Sequence, residues 1–321
     1  MMTQADKNVV FESIVATIDD ERLISEMKIL LEVEPEPIKS LNYYLKNYRK
    51  QLVEDEMSND SFKAINTGLS DFDNHTGGWK MGTLNIVAAH KGNGLRAFLI
   101  SILDNIAIKN KQEVAVFGLI SLPENFINHI IASETAISVC KIHSKLLEKH
   151  EIVQLDKKID QIIYAPIFID GNVPLTVIHL KNKIKQLIKN NNLKIALIEN
   201  LEAIAGKREL VLKDLNNLAE ELQIPIVAFY ELPTNWIERL DLNYKPSYTR
   251  FKKKYSDIAF HDDLETLTLI YRREYYGLTK WEDNTSCEGQ AELICYGKSF
   301  ETKNIRIKFI AHLAKFVDLD C

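Results

Sequence analysis

Short apolar segments of strand character alternate with amphipathic helical segments through most of this 321-residue chain. The alternation begins at Ile65 and continues to the carboxyl terminus. Because two parallel strands must be joined by a long crossover, usually a helix, this order predicts a parallel sheet with helices on its faces. Apolar runs such as Ile195–Ile198 contain no polar residue, which is typical of strands covered on both sides.

The predicted elements follow one another without an internal repeat. Strands are predicted at Leu84–Val87, Val114–Leu119, Ile167–Ile169, Ile195–Ile198, Ile226–Phe229, Leu267–Tyr271, Ala291–Cys295 and Ile305–Phe309. Helices are predicted at Arg96–Lys109, Glu124–Glu134, Ser144–Ile163, Val177–Asn190 and Leu210–Leu222. The late strands are expected to be antiparallel and to lie at one edge. The predicted fold class is α/β, with a mostly parallel sheet flanked by helices.

The amino-terminal part of the chain has a different pattern. Residues 1–60 have helical periodicity without strand signals, Pro35 and Pro37 separate two of the helices, and Glu54–Asn59 has the polarity of a linker. We therefore expect a helical segment over residues 1–60 and one α/β domain over residues 61–321. Two interpretations of the helical segment remain: it packs on a neighbouring subunit, or it covers the chain's own core.

Composition excludes several classes of protein. The hydrophobic content of 46% and the charged content of 26% are ordinary for a globular protein. A formal net charge of -5 argues against a general polybasic coat for nucleic acid but leaves room for a local basic track. The four cysteines lack metal-ligand spacing, and no apolar run is long enough to span a bilayer. We expect a cytoplasmic protein without a metal site and without a membrane partner.

The segment Ile86–Phe98 has the context of a phosphate-binding loop. An apolar strand runs into a turn of small residues, and an amphipathic helix follows. A Walker A motif requires this context and also Gly-Lys-Ser/Thr, because the lysine reaches the β- and γ-phosphates and the hydroxyl ligates Mg²⁺. Here Gly94 is followed by Leu95 and Arg96. The loop is present, but the residues that handle phosphate are not.

Several segments in order resemble the carboxyl-terminal motor domain of the DnaB-type replicative DNA helicases. The resemblance covers roughly residues 62 to 320. It rests on Asn66–Asp73 with Thr76–Trp79, Gly82–Phe98, Val114–Leu119, Leu218–Ala228, Tyr271–Tyr276 and Lys315–Leu319. This resemblance implies a RecA-like P-loop domain that, in the family, uses ATP and Mg²⁺, assembles as a hexamer and moves 5'-3' on DNA.

The resemblance also assigns family positions to individual residues. Leu95 stands where the family has the Walker lysine, and Arg96 where it has the threonine. Ile120 replaces the glutamate that activates water, Glu199 stands at the Walker B aspartate, and Glu231 replaces a glutamine that senses the γ-phosphate. Lys298 is the one cation retained from a hairpin that acts on a neighbour's nucleotide. These replacements together predict a protein that neither hydrolyses ATP nor needs a cofactor.

Two interpretations of the loop remain open. Its backbone and the residues His90, Lys91, Gly92, Asn93, Gly94 and Arg96 are candidates for binding an anion or nucleotide, since the amides at the helix amino terminus remain. Alternatively, Arg96 turns outward or fills the phosphate pocket with its own guanidinium. Glu199 is either a Walker B carboxylate or a buried acid paired with a lysine or arginine.

The segment Asn243–Asp257 interleaves basic and aromatic residues. In the resembled helicases this stretch is a loop that follows single-stranded DNA, and cations with stacking aromatics suit that role. The alternative is a solvated loop whose charges only keep it soluble. The candidate DNA-binding residues are Arg250, Lys252, Lys253, Lys254 and Tyr255.

Three functional hypotheses follow from these patterns. The first is a degenerate helicase-family protein that acts in replication or recombination by binding DNA or a partner without hydrolysing ATP. The second is an active ATP-dependent helicase with unusual catalytic residues, and the third is a RecA-like scaffold used for protein interaction. Single-stranded DNA and a competent helicase or other replication protein are the expected partners. We expect a monomer or a weak oligomer, because the nucleotide site between subunits is eroded.

Overall fold

The computed structural model describes residues 64–171, 175–232, 245–249, 251 and 264–319. The chain divides into two compact units, Met1–Ser61 and Phe62–Cys321, and every described residue belongs to the second unit. The helices predicted for residues 1–60 lie outside the described residues. The elements below are therefore those of the α/β domain.

The described residues form a large sheet of nine strands in the order β11-β10-β9-β8-β3-β7-β6-β4-β5. Strands β8, β3, β7, β6, β4 and β5 are parallel, and β9, β10 and β11 are added antiparallel beyond β8. Its strands are β3 Leu84–His90, β4 Val114–Phe117, β5 Ile167–Asp170, β6 Ile195–Ile198, β7 Ile226–Leu232, β8 Leu264–Tyr271, β9 Gln290–Gly297, β10 Lys303–Ile310 and β11 Lys315–Val317. The predicted mostly parallel sheet with late antiparallel strands at one edge is confirmed.

Helices connect the parallel strands, and a short antiparallel ribbon of β1 (Ala64–Ile65) and β2 (Trp79–Lys80) precedes the sheet. The α-helices are α1 Ser70–Thr76, α2 Leu95–Leu103, α3 Pro123–Thr135, α4 Val139–Ser144, α5 Lys149–Ile162, α6 Val177–Asn191 and α7 Arg208–Leu222. A π-helix, Asp104–Lys109, continues α2. A 3₁₀-helix, Arg273–Tyr276, follows β8.

Two helix predictions differ from the structure. The helix predicted over Arg96–Lys109 changes from α to π at Asp104. The helix predicted to begin at Ser144 begins at Lys149, because Ser144 is the last residue of α4, which ends where Lys145 has a left-handed φ of 57°. Glu148 then starts α5 with a capping box formed with Glu151. These breaks depend on backbone conformation at single residues, which apolar periodicity does not report.

The central strand β3 is buried along its whole length. Its side chains alternate between two apolar clusters, one on each face of the sheet. Ile86 belongs to the cluster that contains Leu215 of α7, and Val87 to the cluster that contains Phe98 of α2. Asn85, a buried polar residue of this strand, accepts a hydrogen bond from the Thr266 hydroxyl at 2.8 Å. Burial on both faces holds β3 firmly and fixes where its carboxyl end lies.

A buried ionic cluster joins the end of α2 to β11 and α3. The Lys315 ammonium lies 2.9 Å from Asp104, 3.4 Å from Glu134 and 2.9 Å from the Ser133 carbonyl, and Lys158 lies 2.9 Å from Glu134. Desolvation raises the pKa of Asp104. Desolvation alone would also raise the pKa of Glu134, but the Asp104 hydrogen bond and the two lysines outweigh it and lower that pKa to about 2. Glu134 therefore stays ionised at neutral pH.

Replacing Lys315 by methionine should destabilise the domain strongly. The substitution removes the nearest cation of Asp104, whose side chain is 1% exposed, and one of the two cations beside Glu134, whose side chain is 8% exposed. Breaking a buried ion pair on one side costs about 3–5 kcal/mol. Urea unfolding at pH 7 measures the loss in the free energy of unfolding. The control is Lys157→Met on α5, since Lys157 is exposed and forms no ion pair in the described part of the chain. The control should change stability by less than about 0.5 kcal/mol, and equal losses in the two variants would contradict the role of the cluster.

Candidate functional site

The loop between β3 and α2 lies at the carboxyl edge of the parallel strands. It turns on two glycines with left-handed backbone, Gly92 at φ 86° and Gly94 at φ 91°. A Cβ atom on Gly92 would lie 2.2 Å from the Tyr275 ring, and one on Gly94 would lie 2.9 Å from the Phe316 ring. Both the backbone conformation and the close aromatic contacts therefore require glycine at these two positions.

Asn93 fixes the conformation of this loop from within. Its side-chain amide donates to the His90 carbonyl at 3.2 Å and to the Tyr276 hydroxyl at 3.0 Å, and its carbonyl oxygen accepts from the Arg272 amide at 2.8 Å. The Arg272 guanidinium donates to the Gly92 carbonyl at 3.1 Å. Asn93 and His90 are 1% and 5% exposed, so their side chains belong to the interior. Of the candidate anion-binding side chains, Lys91 is exposed and Arg96 is partly exposed.

Leu95, at the family position of the Walker lysine, is half-buried. Its side chain packs against the apolar cluster that contains Phe98, Ile102 and Val87. An aliphatic side chain in this place contributes contact area to the core and offers no hydrogen-bond donor to a ligand. Leu95 therefore packs the first turn of α2 against the core.

Arg96, Glu199 and Ile120 meet in one hydrogen-bonded network. The Arg96 Nε atom lies 2.5 Å from Glu199 Oε1, and the Ile120 backbone amide donates to Glu199 Oε2 at 2.9 Å. Glu199 follows β6 and is 3% exposed, so its charge is neutralised inside the protein. This pairing is the one that the second interpretation of Glu199 expected. Arg96 turns toward Glu199, and both residues line one cavity.

These residues line a cavity of about 560 Å³ beside the loop. Its wall combines three carboxylates and two cations with apolar side chains: Lys91, Leu95, Arg96, Leu99, Ile120, Glu199, Asn200, Glu202, Phe229 and Glu231. Glu202 pairs with Arg208 at 3.0 Å, whereas Glu231 at the end of β7 is exposed and has no ion pair within the described residues. Sequence reasoning did not select Asn200 or Glu202: Asn200 follows the Walker B position Glu199, and Glu202 lies in the short 3₁₀-helix Leu201–Ala203. Parallel strands end at one edge, which explains why residues in or just after the four strands β3, β4, β6 and β7 share the cavity.

Lys298 lies at the other end of the sheet. It follows Gly297, which pairs with Thr266 near the beginning of β8, while the loop at His90 follows the end of the parallel strand β3. A strand of this length separates the two edges by about 20 Å at roughly 3.3 Å per residue. Lys298 therefore does not reach the cavity of its own subunit.

The residues of the cavity do not fit a magnesium–nucleotide complex held as in a Walker A loop. The lysine and hydroxyl positions carry Leu95 and Arg96, and both carboxylate oxygens of Glu199 already accept hydrogen bonds. Among the described residues no group of three acidic, histidine or cysteine side chains is arranged to hold a metal ion. A polyphosphate entering here would also face the carboxylates of Glu202 and Glu231.

The candidate DNA-binding residues Arg250, Lys252, Lys253, Lys254 and Tyr255 lie outside the described residues. Residues 245–249 and 251 of the same segment are described, and several of them contact the rest of the domain. Lys245 pairs with the buried Glu292 at 2.6 Å, and the Tyr248 ring lies 4.9 Å from the Tyr296 ring. Phe251 is 3% exposed in the core. These basic and aromatic residues at the start of the segment therefore have structural contacts of their own.

No helix in the described part of the chain combines the length and the apolar character needed to cross a membrane.

Comparisons with known proteins agree with this geometry. The family described as the DnaB-like helicase C terminal domain matches residues 64–318. The replicative DNA helicase DnaC of Bacillus subtilis is 24% identical over 268 residues, which are 80% of this chain and 57% of that protein. The replicative DNA helicase DnaB of Nostoc is 29% identical over 191 residues, 57% of this chain and 22% of that protein. The chain thus spans a little over half the length of the first of these relatives.

Solved structures share the fold at lower sequence identity. One solved ATPase domain superposes with a TM-score of 0.74 at 18% identity and covers 88% of this chain and 100% of that one. A DnaB-like replicative helicase, described with its interactions with primase, has a TM-score of 0.70 at 19% identity and covers 98% of this chain and 77% of that one. The sheet order, the loop at its carboxyl edge and the match over residues 64–318 place this chain in the family of the DnaB-like helicase C-terminal domain.

Proposed function

We propose that this chain is a helicase-family protein that acts in DNA replication or recombination by binding DNA or a partner and does not hydrolyse ATP. The observation that carries the proposal is the network of Arg96, Glu199 and the Ile120 amide. It occupies the three positions where an active relative would coordinate magnesium and activate water. No ATP or magnesium is expected to be used.

The chemistry of phosphoryl transfer supports this proposal. The reaction depends almost wholly on positioning and on electrostatic stabilisation of phosphate charge. Each missing charged hydrogen bond to phosphate removes about 1.5–3 kcal/mol. At positions 95, 96 and 120 this chain has two aliphatic side chains and a cation already paired with Glu199. Little then remains to lower the barrier.

Partners and assembly follow from the same reasoning. In the resembled ring helicases, nucleotide lies between neighbouring subunits and helps to join them. A chain that binds no nucleotide should therefore be a monomer or a weak oligomer in isolation. A competent helicase ring or another replication protein is the proposed protein partner, and single-stranded DNA the proposed nucleic acid. A cytoplasmic location accords with such partners.

We expect turnover of ATP below about 0.1 per second with or without single-stranded DNA, against typical enzyme rates of roughly 1–1000 per second. A coupled ATPase assay on the full chain measures it, with the Bacillus subtilis relative as positive control. Faster turnover that disappears in the Glu199→Gln variant would refute the proposal, because it would show Glu199 acting on a nucleotide.

The variant Leu95→Lys with Arg96→Thr should bind ATP more tightly than the natural chain. The new lysine can donate a hydrogen bond to phosphate, and the loss of Arg96 frees Glu199. The recovered interaction of about 1.5–3 kcal/mol corresponds to a roughly tenfold to hundredfold gain in ATP affinity. Turnover should stay absent because Ile120 has no carboxylate. Isothermal titration calorimetry measures the gain.

Arg96→Thr alone is the control for this variant, since it opens the ion pair without supplying the lysine. If the double variant binds no better than the single one, the loop has closed on its aromatic neighbours and the two residues do not govern nucleotide affinity.

Binding to single-stranded DNA should be weak, independent of sequence and strongly dependent on salt. Non-specific affinities are about 10⁻⁴–10⁻⁶ M, and each neutralised phosphate contributes about 0.7 to the log–log slope with salt. Replacing Lys252, Lys253 and Lys254 by alanine should lower that slope by about two. Fluorescence anisotropy at two salt concentrations measures it, and an absence of binding at low salt would instead favour a protein-interaction scaffold.

A further inference from the structure

Helix α6, Val177–Asn191, has an unusual charge. It contains Lys181, Lys183, Lys185 and Lys189 and no acidic residue, although the whole chain has a net charge of -5. The helices before and after it in the chain, α5 and α7, carry both signs of charge. A helix of this length extends about 22 Å at 1.5 Å per residue. Positive charge is therefore concentrated along one element.

The four lysines are not equivalent. Lys181 and Lys185 both lie 2.7 Å from the Glu221 carboxylate of α7, and these hydrogen bonds lower the pKa of Glu221. Lys183 pairs with Asp170 at the end of β5. Lys189 is exposed and has no carboxylate within ion-pair distance in the described part of the chain. Three lysines thus attach the helix to its neighbours, and the fourth does not.

Two further lysines lie near the carboxyl end of α6, at the amino edge of the sheet. The Lys194 amide donates to the Glu113 carbonyl at 2.9 Å, just before β4 and β6 begin to pair. Lys111 precedes Glu113 by two residues and has a left-handed φ of 55°, a conformation that costs a lysine more than a glycine or asparagine. Within residues 64–171 and 175–232, neither lysine forms an ion pair.

We name residues 110–113 together with 189–194 the lysine–amide surface. Its cations are Lys111, Lys189 and Lys194, and Glu113 is the acid among these residues, so its net charge is positive. Exposed amide residues adjoin the lysines in the sequence: Asn110, Asn190, Asn191 and Asn192, with Gln112 half-buried. The Lys194 ammonium donates to the side-chain oxygen of Asn192 at 3.2 Å. The leucine in this surface, Leu193, is 2% exposed, so it offers no apolar anchor.

We propose that the lysine–amide surface binds the phosphate backbone of a nucleic acid strand. Lysine, asparagine and glutamine side chains are the common donors to phosphate oxygens, and such contacts need no apolar centre. A protein partner would require an aromatic or aliphatic core of the interface, and this surface has none exposed. Phosphate contacts position a strand without reading its bases, so binding is independent of sequence.

This surface is separate from the cavity, which lies at the carboxyl edge of the sheet, and it uses none of the residues Arg250–Tyr255. It extends the proposed function by a second contact to nucleic acid. The lysine–amide surface and the segment Arg250–Tyr255 can be tested separately, because they contain different lysines.

The test compares two double variants of the full chain with equal changes of charge. Lys189→Gln with Lys194→Gln removes two cations that form no ion pair in the described part of the chain, and Lys181→Gln with Lys185→Gln removes two cations bound to Glu221. Anisotropy of a fluorescein-labelled oligo(dT) is measured between about 50 mM and 200 mM salt. The first variant should lower the log–log slope by about 1.4 and weaken binding, and the second should leave both unchanged. Circular dichroism melting verifies that both variants fold.

Equal losses in the two double variants would overturn the proposal, since the effect would then follow net charge and not this surface. An unchanged salt slope in the Lys189→Gln, Lys194→Gln variant would also overturn the proposal. If the alanine variant of residues 252–254 then lowers the slope, only the loop contact is supported. A loss in the first double variant without any effect of the alanine variant would support this surface and reject the loop. Capture of polyglutamate in place of oligo(dT) would identify an acidic protein as the ligand and refute the proposal.

Discussion

The burial of β3 on both faces is the constraint on which the rest of the domain depends. Ile86 and Val87 point into opposite apolar clusters, and α2 and α7 pack against them. Neighbouring strands β7 and β8 bond to both edges of β3 in parallel register. Because β3 is packed on both faces and hydrogen-bonded on both edges, its position in the sheet is fixed. The loop that follows His90 therefore begins at a defined position. The position of the cavity follows from this core.

Within that frame the cavity is organised by an internal ion pair. Burying the Glu199 carboxylate without a partner would cost several kilocalories per mole. Arg96 and the Ile120 amide supply the partners from the chain itself. A cation and an acid that neutralise each other have little charge left for an external ligand. This is the physical reason behind the proposed lack of ATP hydrolysis.

Charge is also divided between the two edges of the sheet. Three carboxylates line the cavity at the carboxyl edge, and unpaired lysines with amides lie at the amino edge near Lys111 and Lys194. A polyanion is disfavoured at the first edge and favoured at the second. The proposed contact of the lysine–amide surface with nucleic acid therefore lies at the edge of the sheet opposite the cavity.

The sequence by itself determined the α/β class, the order of the strands along the chain and the glycine loop after β3, because apolar periodicity and small-residue turns are local properties. It also predicted that Leu95, Arg96 and Ile120 stand where the resembled family has a lysine, a threonine and a glutamate. Only the tertiary structure decided that Arg96 binds Glu199, since 103 positions separate these residues. The tertiary structure also decided the hydrogen bond between Arg272 and Asn93 and the ion pair between Asp104 and Lys315. Such pairs depend on which helices, strands and loops the fold brings together, and no local pattern encodes that.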